Sequence, residues 1–319
     1  MRVDSKPFTV NIAIDSKIIQ NGLDENIDLL KKLPETSNIF LSGNHFEFLN
    51  QLPAPSCLKF VPIFSTLSNS SKDLKKPEIS QIDATGNILT QYLCPNNLNV
   101  ENSVKAEFIS LNNHAHIAGI QLEGLEMPSI LSNPGCFCSF CAAIAAEQGL
   151  NLKTILRSLI QRENQESDRA QVQKNFTDWH RFRMQSITNF AGRLMVLLRR
   201  INPNLFLGLN LKYSETPEFL GQDYFFLALY LDLLNFIVNP PNPQGKGFLH
   251  QMKSIKRITK KFLGQIRVFL QISVPDEAEL NEIKTWLKMI RNNSFDGVIL
   301  HIPSLDGLKK WENLASLHV

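Results

Sequence analysis

The sequence predicts a (β/α)₈ barrel, in which a closed ring of eight parallel strands is surrounded by helices. Short apolar segments alternate with longer amphipathic ones, and this alternation repeats eight times along the chain. Several short segments are apolar almost throughout, as at residues 297–302, which is typical of parallel strands buried on both faces. The 319 residues fit one such domain, so we predict a single barrel over residues 1–319.

The predicted strands are short and rich in Val, Ile, Leu and Phe. They cover residues 9–14, 38–41, 58–64, 117–122, 205–211, 234–238, 267–272 and 297–302. The alternative architecture, a doubly wound open sheet, usually has a Gly-rich turn after its first strand. The first turn here reads Asp15-Ser-Lys-Ile-Ile and has no glycine, which favours the barrel.

Helical spacing of apolar residues predicts the outer layer of the barrel. The predicted helices cover residues 24–33, 46–49, 99–111, 178–200, 220–231, 246–263, 276–291 and 305–317. Asp276 and Glu277 are interpreted as the acidic first turn of their helix. Phe225, Phe226 and Tyr230 fall at helical spacing, so we expect them to pack in the core.

Two connections are long. Residues 65–98 follow the third strand, and residues 123–178 follow the fourth. Since the active sites of such barrels lie at the C-terminal ends of the strands, these two insertions mark the candidate functional face.

The formal net charge of +3 is too small to indicate a nucleic-acid-binding protein. The basic stretch 246–261 carries its apolar residues at helical spacing and is interpreted as an outer helix with a solvated lysine face. The sequence shows neither a signal peptide nor a membrane-spanning apolar run, so we expect a cytoplasmic protein without a membrane partner. In that reducing compartment, the five cysteines are expected to be metal ligands or core residues and not to form disulfides.

Residues 134–141 read Pro-Gly-Cys-Phe-Cys-Ser-Phe-Cys. This spacing brings Cys136, Cys138 and Cys141 together at the start of a helix predicted over 142–148, whose N-terminus favours thiolates. A structural zinc ion takes four ligands, and Cys94 in the other long connection is the candidate fourth.

Two other interpretations of these cysteines stay open at this point. They can be buried thiols, or they can hold an iron–sulfur cluster, although the spacing does not match the ferredoxin patterns. Cys57, at the start of the third strand, is interpreted as a plain buried thiol.

The cysteine pattern resembles that of glycoside hydrolase family 42 β-galactosidases. That family has a Cys-Pro-x-x-Pro segment and, after barrel strand 4, a Cys-x-Cys-x-x-Cys segment, and the four cysteines bind zinc. In this chain Cys94-Pro-Asn-Asn-Leu precedes the predicted fourth strand, and Cys136-Phe-Cys-Ser-Phe-Cys follows it.

An even closer likeness is to uncharacterised glycoside-hydrolase-like barrels. Their strand 4 reads Asp-Gly-Ile-x-Leu-Asp-x-x-Arg-x-Pro and precedes Cys-Phe-Cys-x-x-Cys and a Trp-x-x-Phe-Arg helix. Here residues 118–128 read Ala-Gly-Ile-Gln-Leu-Glu-Gly-Leu-Glu-Met-Pro, and residues 179–183 read Trp-His-Arg-Phe-Arg. The likeness covers roughly residues 85–240.

The resemblance implies a carbohydrate site and a structural zinc ion. Retaining glycosidases of this barrel type use a strand-4 glutamate as general acid/base and a strand-7 glutamate as nucleophile, about 5–5.5 Å apart. This chain departs from the pattern twice: the fourth strand lacks the family's Asn-Glu pair, and the seventh ends in Gln271-Ile-Ser-Val-Pro, without a carboxylate.

Three carboxylates are candidates for catalysis. Glu123 ends the fourth strand, where related barrels place an acid, although pairing with a loop cation is the alternative. Glu126 stands where the relatives have arginine. Asp15, at the tip of the first strand, can supply the second carboxylate or cap the following helix. Two hypotheses follow: a glycoside hydrolase, and a non-catalytic relative that binds a sugar or a protein.

Polar residues near other strand ends can pair with sugar hydroxyls, which need both donors and acceptors. These candidates are His45, Gln91, Asn210, Tyr213, Asn239, Gln271 and His301. His301 can instead be a hydrogen-bonded histidine of the top layer of the barrel. We expect a carbohydrate ligand and no nucleic acid, and the sequence leaves a homo-oligomer open.

Overall fold

Eight parallel strands close into a barrel in the computed structural model, which confirms the predicted fold. The strands in chain order are β1 (Thr9–Asp15), β2 (Ile39–Ser42), β3 (Phe60–Ser65), β4 (Ser80–Ile82), β5 (Ile88–Leu93), β6 (Gly119–Glu123), β7 (Phe206–Lys212), β8 (Leu233–Val238), β9 (Arg267–Ser273) and β10 (Gly297–Ile302). Neighbours around the barrel follow the order β1-β2-β3-β6-β7-β8-β9-β10, and β10 pairs with β1. Barrel strand 4 is therefore β6.

The structure describes residues 8–21, 23–31, 38–43, 46–51, 58–67, 77–112, 114, 116–130, 132, 134–160, 169–214, 216–238, 246–262 and 265–310. Of the residues singled out in the sequence, His45, Cys57 and Asn239 lie outside these ranges.

Helices separate most of the strands. They are α1 (Ser16–Gln20), α2 (Leu23–Leu30), α3 (Leu98–Asn112), α4 (Ser139–Glu147), α5 (Leu152–Ile160), α6 (Arg169–Ile201), α7 (Tyr224–Ala228), α8 (Lys246–Thr259), α9 (Leu280–Asn292) and α10 (Leu305–Lys310). Short 3-10 helices cover Glu47–Gln51, Pro77–Ile79, Pro217–Leu220 and Lys260–Phe262. Within the described part of the chain, no helix has the length and apolar character needed to cross a bilayer.

Side chains alternate along each strand between the barrel interior and the helix layer. The interior row is a small apolar cluster of Ala13, Phe40, Val61, Ile63, Leu233, Phe269 and Ile299. The opposite row, such as Leu207 and Leu209 of β7, belongs to the larger core that packs against the helices. Continuing the interior row to the strand ends brings Asp15, Glu123, Lys212 and His301 to the C-terminal mouth of the barrel.

The connection after β3 contains a β-hairpin that the sequence analysis did not predict. Strands β4 and β5 pair antiparallel, and the Asp83 carboxylate accepts hydrogen bonds from the N–H groups of Thr85 and Asn87 in the turn. Gln91 lies on β5 with an exposed side chain, so its expected position at the end of a barrel strand is wrong.

Two helix starts differ from the prediction. Helix α9 begins at Leu280 because Glu279 and Glu282 form a capping box there, which leaves Asp276 and Glu277 in a preceding turn and not in the first helical turn. Helix α6 begins at Arg169, well before residue 178, so part of the second insertion is helical.

The segment predicted as a helix over 220–231 is mostly irregular. Helix α7 spans only Tyr224–Ala228, and it buries one short face made of Tyr224 and Leu227. Phe225 is 44% exposed, Phe226 51% and Tyr230 38%, so the expectation that they pack in the core is wrong. One and a half helical turns offer too narrow a buried face to include them.

Candidate metal centre and barrel mouth

Four cysteine side chains meet on the C-terminal side of the barrel, as the sequence analysis predicts. Cys94 follows β5, whereas Cys136, Cys138 and Cys141 lie between β6 and the first turn of α4. All four are buried, and their Sγ atoms lie within 4.8 Å of one another. The Cys94 Sγ is 3.5 Å from that of Cys138 and 3.6 Å from that of Cys141.

The backbone of the hairpin brings the two cysteine segments together. The N–H of Cys94 donates to the carbonyl of Ile79 over 2.9 Å, and the N–H of Phe137 donates to that of Ile82 over 2.8 Å. Cys138 is the N-cap of α4 in an extended conformation, which leaves Cys141 in the first turn of the helix. The hairpin therefore explains why the two cysteine segments, which are distant in sequence, converge as predicted.

The distances between the sulfur atoms fit one tetrahedrally coordinated ion. With Zn–S bonds of about 2.3 Å, tetrahedral geometry places two sulfur atoms about 3.8 Å apart. The two distances from the Cys94 Sγ, 3.5 and 3.6 Å, are close to that value. A polynuclear iron–sulfur cluster separates its four thiolates more widely because they surround several iron atoms. The four cysteines can therefore hold a single metal ion.

Among the four thiols, the surroundings favour the negatively charged form at Cys138. Hydrogen bonds with the other cysteines, Cys136 first, lower the pKa of Cys138 and raise that of Cys141. The pKa of Cys94 is also raised, because the hydrogen bonds with Cys136 and Cys138 outweigh the opposite effect of Cys141. The neighbouring thiols thus compete for the negative charge. A bound cation would remove this competition, because it would offset the charge of all four thiolates together.

Two N–H groups also point at the sulfur atoms. The backbone N–H of Ile82 lies 3.5 Å from the Cys136 Sγ, and the Asn96 Nδ2 donates to the Cys141 Sγ over 3.3 Å. Such donors stabilise the thiolate form that a metal ion requires.

Glu123 lies at the barrel mouth with a half-buried side chain. Its backbone carbonyl accepts hydrogen bonds of 2.9 Å from both the N–H and the Oγ1 of Thr66. Its Oε2 accepts a hydrogen bond of 3.3 Å from the Asn210 Nδ2. The carboxylate is thus held from below by a neighbouring strand.

Asn210 and Gln271, predicted at the mouth, are buried one layer beneath it. The Asn210 Oδ1 accepts from the Gln121 Nε2 over 2.8 Å and from the Asn235 Nδ2 over 2.7 Å. The Asn235 Nδ2 also donates to the Gln271 Oε1 over 2.8 Å. We call these four side chains, one from each of β6 to β9, the amide network.

Gln121 and Asn235 were not predicted as site residues. The available signal was a polar residue at the inward position of an otherwise apolar strand, repeated in neighbouring strands. Asn210 and Asn235 are indeed direct partners in the register of β7 and β8.

Pairing with a cation was the alternative role for Glu123. In the structure, it is Glu126 that forms such an ion pair, with Lys212. Its Oε1 lies 3.1 Å from the Nζ of Lys212, and the Glu126 side chain is only 9% exposed. The charge of Glu126 raises the pKa of Lys212 against the effect of burial, and Tyr92 and Glu123 contribute further. Lys212, which was not predicted as a site residue, therefore lies close to both Glu126 and Glu123.

Asp15 caps α1, since its Oδ1 accepts a 2.8 Å hydrogen bond from the N–H of Lys17. His301 is half-buried, and its Nδ1 lies 3.4 Å from the Ser273 Oγ. Burial lowers the pKa of His301, whereas the charges of Asp15 and Glu123 oppose this shift. Two carboxylates from separate strands thus act on one imidazole.

Tyr213 follows β7 and is also half-buried, and its N–H donates to the carbonyl of Ile237 over 3.3 Å. The mouth combines three carboxylates, those of Asp15, Glu123 and Glu126, with the imidazole of His301 and the ammonium group of Lys212. Such a set can exchange protons and pair with hydroxyl groups.

The fold and the cysteine cluster define the class of this protein: an α/β barrel with a thiolate site that can hold a metal ion beside its C-terminal mouth. No protein-family model matches the sequence, and no curated protein matches it. Solved structures do match, and they include three β-galactosidases.

The β-galactosidase from the psychrophilic Marinomonas ef1 is 10% identical, with a TM-score of 0.64 over 97% of this chain and 59% of its own. The cold-adapted β-galactosidase from Rahnella sp. R3 is 13% identical, with a TM-score of 0.63 over 93% and 50%. The polyextremophilic β-galactosidase from Halorubrum lacusprofundi is 10% identical, with a TM-score of 0.62 over 97% and 58%. This chain thus spans 50–59% of the length of these enzymes, and at such identities the likeness establishes the barrel fold.

Proposed function

We propose that the protein is a glycoside hydrolase in which Glu123 is the general acid/base and Asp15 the second carboxylate. The observation that carries the proposal is the position of Glu123. It lies at the end of barrel strand 4, half-buried, facing the mouth and hydrogen-bonded by Asn210. The likeness of the fold to β-galactosidases supports a carbohydrate as the substrate class.

The other polar groups of the mouth have proposed roles in substrate binding. The Glu126–Lys212 pair offers both an acceptor and a donor to sugar hydroxyls. Tyr213 and His301 are further proposed contacts of the sugar. Asn210 and Gln271 act from below through the amide network. His45 and Asn239 stay predictions from the sequence. So does sugar binding by Gln91, although Gln91 lies on β5 and not at the end of a barrel strand.

We propose zinc as the metal and a structural role for it. Four thiolates complete a tetrahedral shell, which leaves no open position for a substrate or a water molecule. The ion would connect the segment before β6 with the one after it and so order the loops above the mouth. The chemistry at the sugar is proposed to come from the carboxylates alone.

A second candidate function is a non-catalytic barrel that binds a sugar or a protein. It is favoured by the end of β9, where Ser273 stands in place of a carboxylate, and by the engagement of Asp15 as a helix cap. If this function is correct, the mouth binds its ligand but does not turn it over.

Hydrolysis of aryl glycosides that differ in leaving-group pKa tests the two functions. A general acid matters most for poor leaving groups, so Glu123→Gln is expected to lose about 10²–10⁴-fold on phenyl glycosides and much less on dinitrophenyl glycosides. Asp15→Asn is expected to lose activity on both, because it would remove the second carboxylate.

Exposed Glu147→Gln serves as the matched control and is expected to keep wild-type activity. Equal losses of Glu123→Gln on both leaving-group classes would remove the acid/base role from Glu123. A wild-type protein that hydrolyses no glycoside of the panel but gains thermal stability from a sugar would support the non-catalytic function instead.

A further inference from the structure

We infer that Arg183 supplies the buried positive charge that balances the metal–thiolate centre. This inference rests on the proposed metal site and assigns to it a residue outside the ligand set. It explains why an arginine lies in the interior, at a place where the described part of the chain offers it no carboxylate.

Arg183 lies on α6 and is fully buried. Its Nη1 donates to the carbonyl of Phe219 over 3.0 Å, and its Nη2 donates to that of Pro128. Its Nε makes no hydrogen bond to any described residue. Carbonyl groups satisfy donors but do not neutralise a charge, and a buried ion without a counter-ion is strongly unfavourable.

The face of α6 that carries Arg183 packs on the cysteine segment. One turn before it, the Trp179 ring stacks on Phe137, with centroids 4.5 Å apart and planes inclined by 20°. Almost one turn after it, the Ser186 Oγ accepts a 3.0 Å hydrogen bond from the Asn96 Nδ2, which also donates to the Cys141 Sγ. Residues three and four apart share a helix face, so Arg183 lies between two contacts with the centre.

The charges are complementary. A divalent ion with four thiolates carries a net charge of −2, and all four sulfur atoms are buried. Burial lowers the pKa of Arg183 to about 10, and a negative charge on Cys136 opposes this shift. The guanidinium is still cationic at neutral pH and can offset half of the charge of the centre.

Arg183 would also connect the centre to the barrel mouth. The carbonyl of Pro128 that it binds belongs to the segment after β6, which carries Glu126. The same segment is joined to the 3-10 helix Pro217–Leu220 by a hydrogen bond of 2.8 Å from the Met127 N–H to the Leu220 carbonyl. The negative charge of the metal–thiolate centre would stabilise the Arg183 guanidinium, and the guanidinium would hold the segment after β6 through the Pro128 carbonyl.

The zinc affinity of the full chain, measured by competition with a chromophoric chelator, tests the inference. Arg183→Gln keeps donors for a carbonyl but loses the charge, so its affinity is expected to fall about 10–100-fold. Arg183→Lys keeps the charge but loses the two-armed donor geometry, so its affinity is expected to stay within about threefold of wild type. The pH of half-release should rise in Arg183→Gln, because four thiolates form less readily beside a neutral group.

The matched control is Arg181→Gln, on the same helix with a 64% exposed side chain, which is expected to bind as wild type does. Wild-type affinity in Arg183→Gln, or an equal loss in Arg183→Lys and Arg183→Gln, would overturn the charge-balancing role. If Arg183→Gln does not fold, apolar Arg183→Met takes its place in the same comparison. A wild-type protein that binds no metal would instead overturn the metal site itself, and the inference with it.

Discussion

The Nδ2 of Asn210 lies 3.3 Å from the Oε2 of Glu123, and this hydrogen bond joins the candidate acid to the amide network inside the barrel. Because the network spans four strands, the carboxylate is positioned by the barrel wall, and not only by the loop that follows it. A site built on strands is held more precisely than one built on loops.

Asn210→Leu is expected to lower the free energy of unfolding by about 3 kcal/mol. The substitution removes the shared acceptor of Gln121 and Asn235, whose side chains are fully buried, and each unsatisfied donor costs about 1–3 kcal/mol. Urea unfolding measures the change. Asn204→Leu, at an exposed position, serves as the control, and a similar small effect of both substitutions would contradict the importance of the network.

Gly208→Ala is expected to destabilise the protein by about 2 kcal/mol through overpacking. A Cβ at this position would lie 1.9 Å from the Oε1 of Gln121. The Gln121 side chain has no exposed surface to move into and is tied to Asn210, so it must break its hydrogen bond to make room. The same unfolding experiment checks this prediction.

The control for Gly208 is Gly247→Ala on α8, where an added Cβ meets no atom within 4 Å. There alanine is expected to raise stability by up to about 1 kcal/mol, because it favours the helix. Changes of the same sign at both glycines would show that space around Gly208 is not limiting.

The features that were predicted correctly are those that a pattern in a short stretch of sequence marks. Parallel strands buried on both faces leave continuous apolar runs, and all eight barrel strands were found from them. The cysteine cluster was equally accessible, since three of its members lie within six residues of one another. The fourth, Cys94, was inferred because a structural zinc ion takes four ligands and the other long connection contains a cysteine, and the resemblance to a zinc-binding family supports it.

The missed features depend on contacts between distant residues. The Glu126–Lys212 pair joins the segment after β6 to the end of β7, which lies far away in sequence, and no local pattern marks the pair. Strand β5 contains Thr90, Gln91 and Tyr92, so it lacks the apolar run that identified the barrel strands. The exposure of Phe225 and Phe226 follows from the early end of α7 at Ala228, which leaves a buried face of only Tyr224 and Leu227.

Cys138→Ser is expected to abolish stoichiometric metal binding and to lower the melting temperature by about 5 °C. A serine hydroxyl is a much poorer ligand than a thiolate, so the ion loses one of its four ligands. Elemental analysis by mass spectrometry measures the bound metal, and it separates zinc from iron in the wild-type protein. Thermal unfolding with and without a chelator gives the contribution of the ion to stability.

Exposed Ser139→Ala, the next residue, controls for changes at the start of α4 and is expected to keep both the metal and the melting temperature. Full metal content with unchanged stability in Cys138→Ser would rule out the four-thiolate structural site. One equivalent of iron in the wild-type protein would keep the site but replace zinc as its ion.

Glu101→Gln is expected to destabilise the protein by about 2 kcal/mol near neutral pH and by less in acid. Glu101 of α3 is almost fully buried and accepts from the Lys105 Nζ over 2.5 Å and the Arg193 Nε over 2.7 Å. Burial raises the pKa of Glu101, but the hydrogen bonds and charges of the two cations outweigh it, and the pKa is lowered from 4.5.

The sign of the pH dependence follows from that shift. A carboxylate whose pKa is depressed in the folded state adds stability above its unfolded value, and it loses this contribution as the pH falls through the folded value. The difference between wild type and Glu101→Gln should therefore be constant near pH 7 and shrink below about pH 4.5. Urea unfolding of both proteins at several pH values measures this difference in stability. Any loss of a bound metal in acid would affect both proteins alike and would cancel in the comparison. The exposed Glu147→Gln should show no such difference, and a gap for Glu101→Gln that does not change with pH would exclude the ion pairs as its cause.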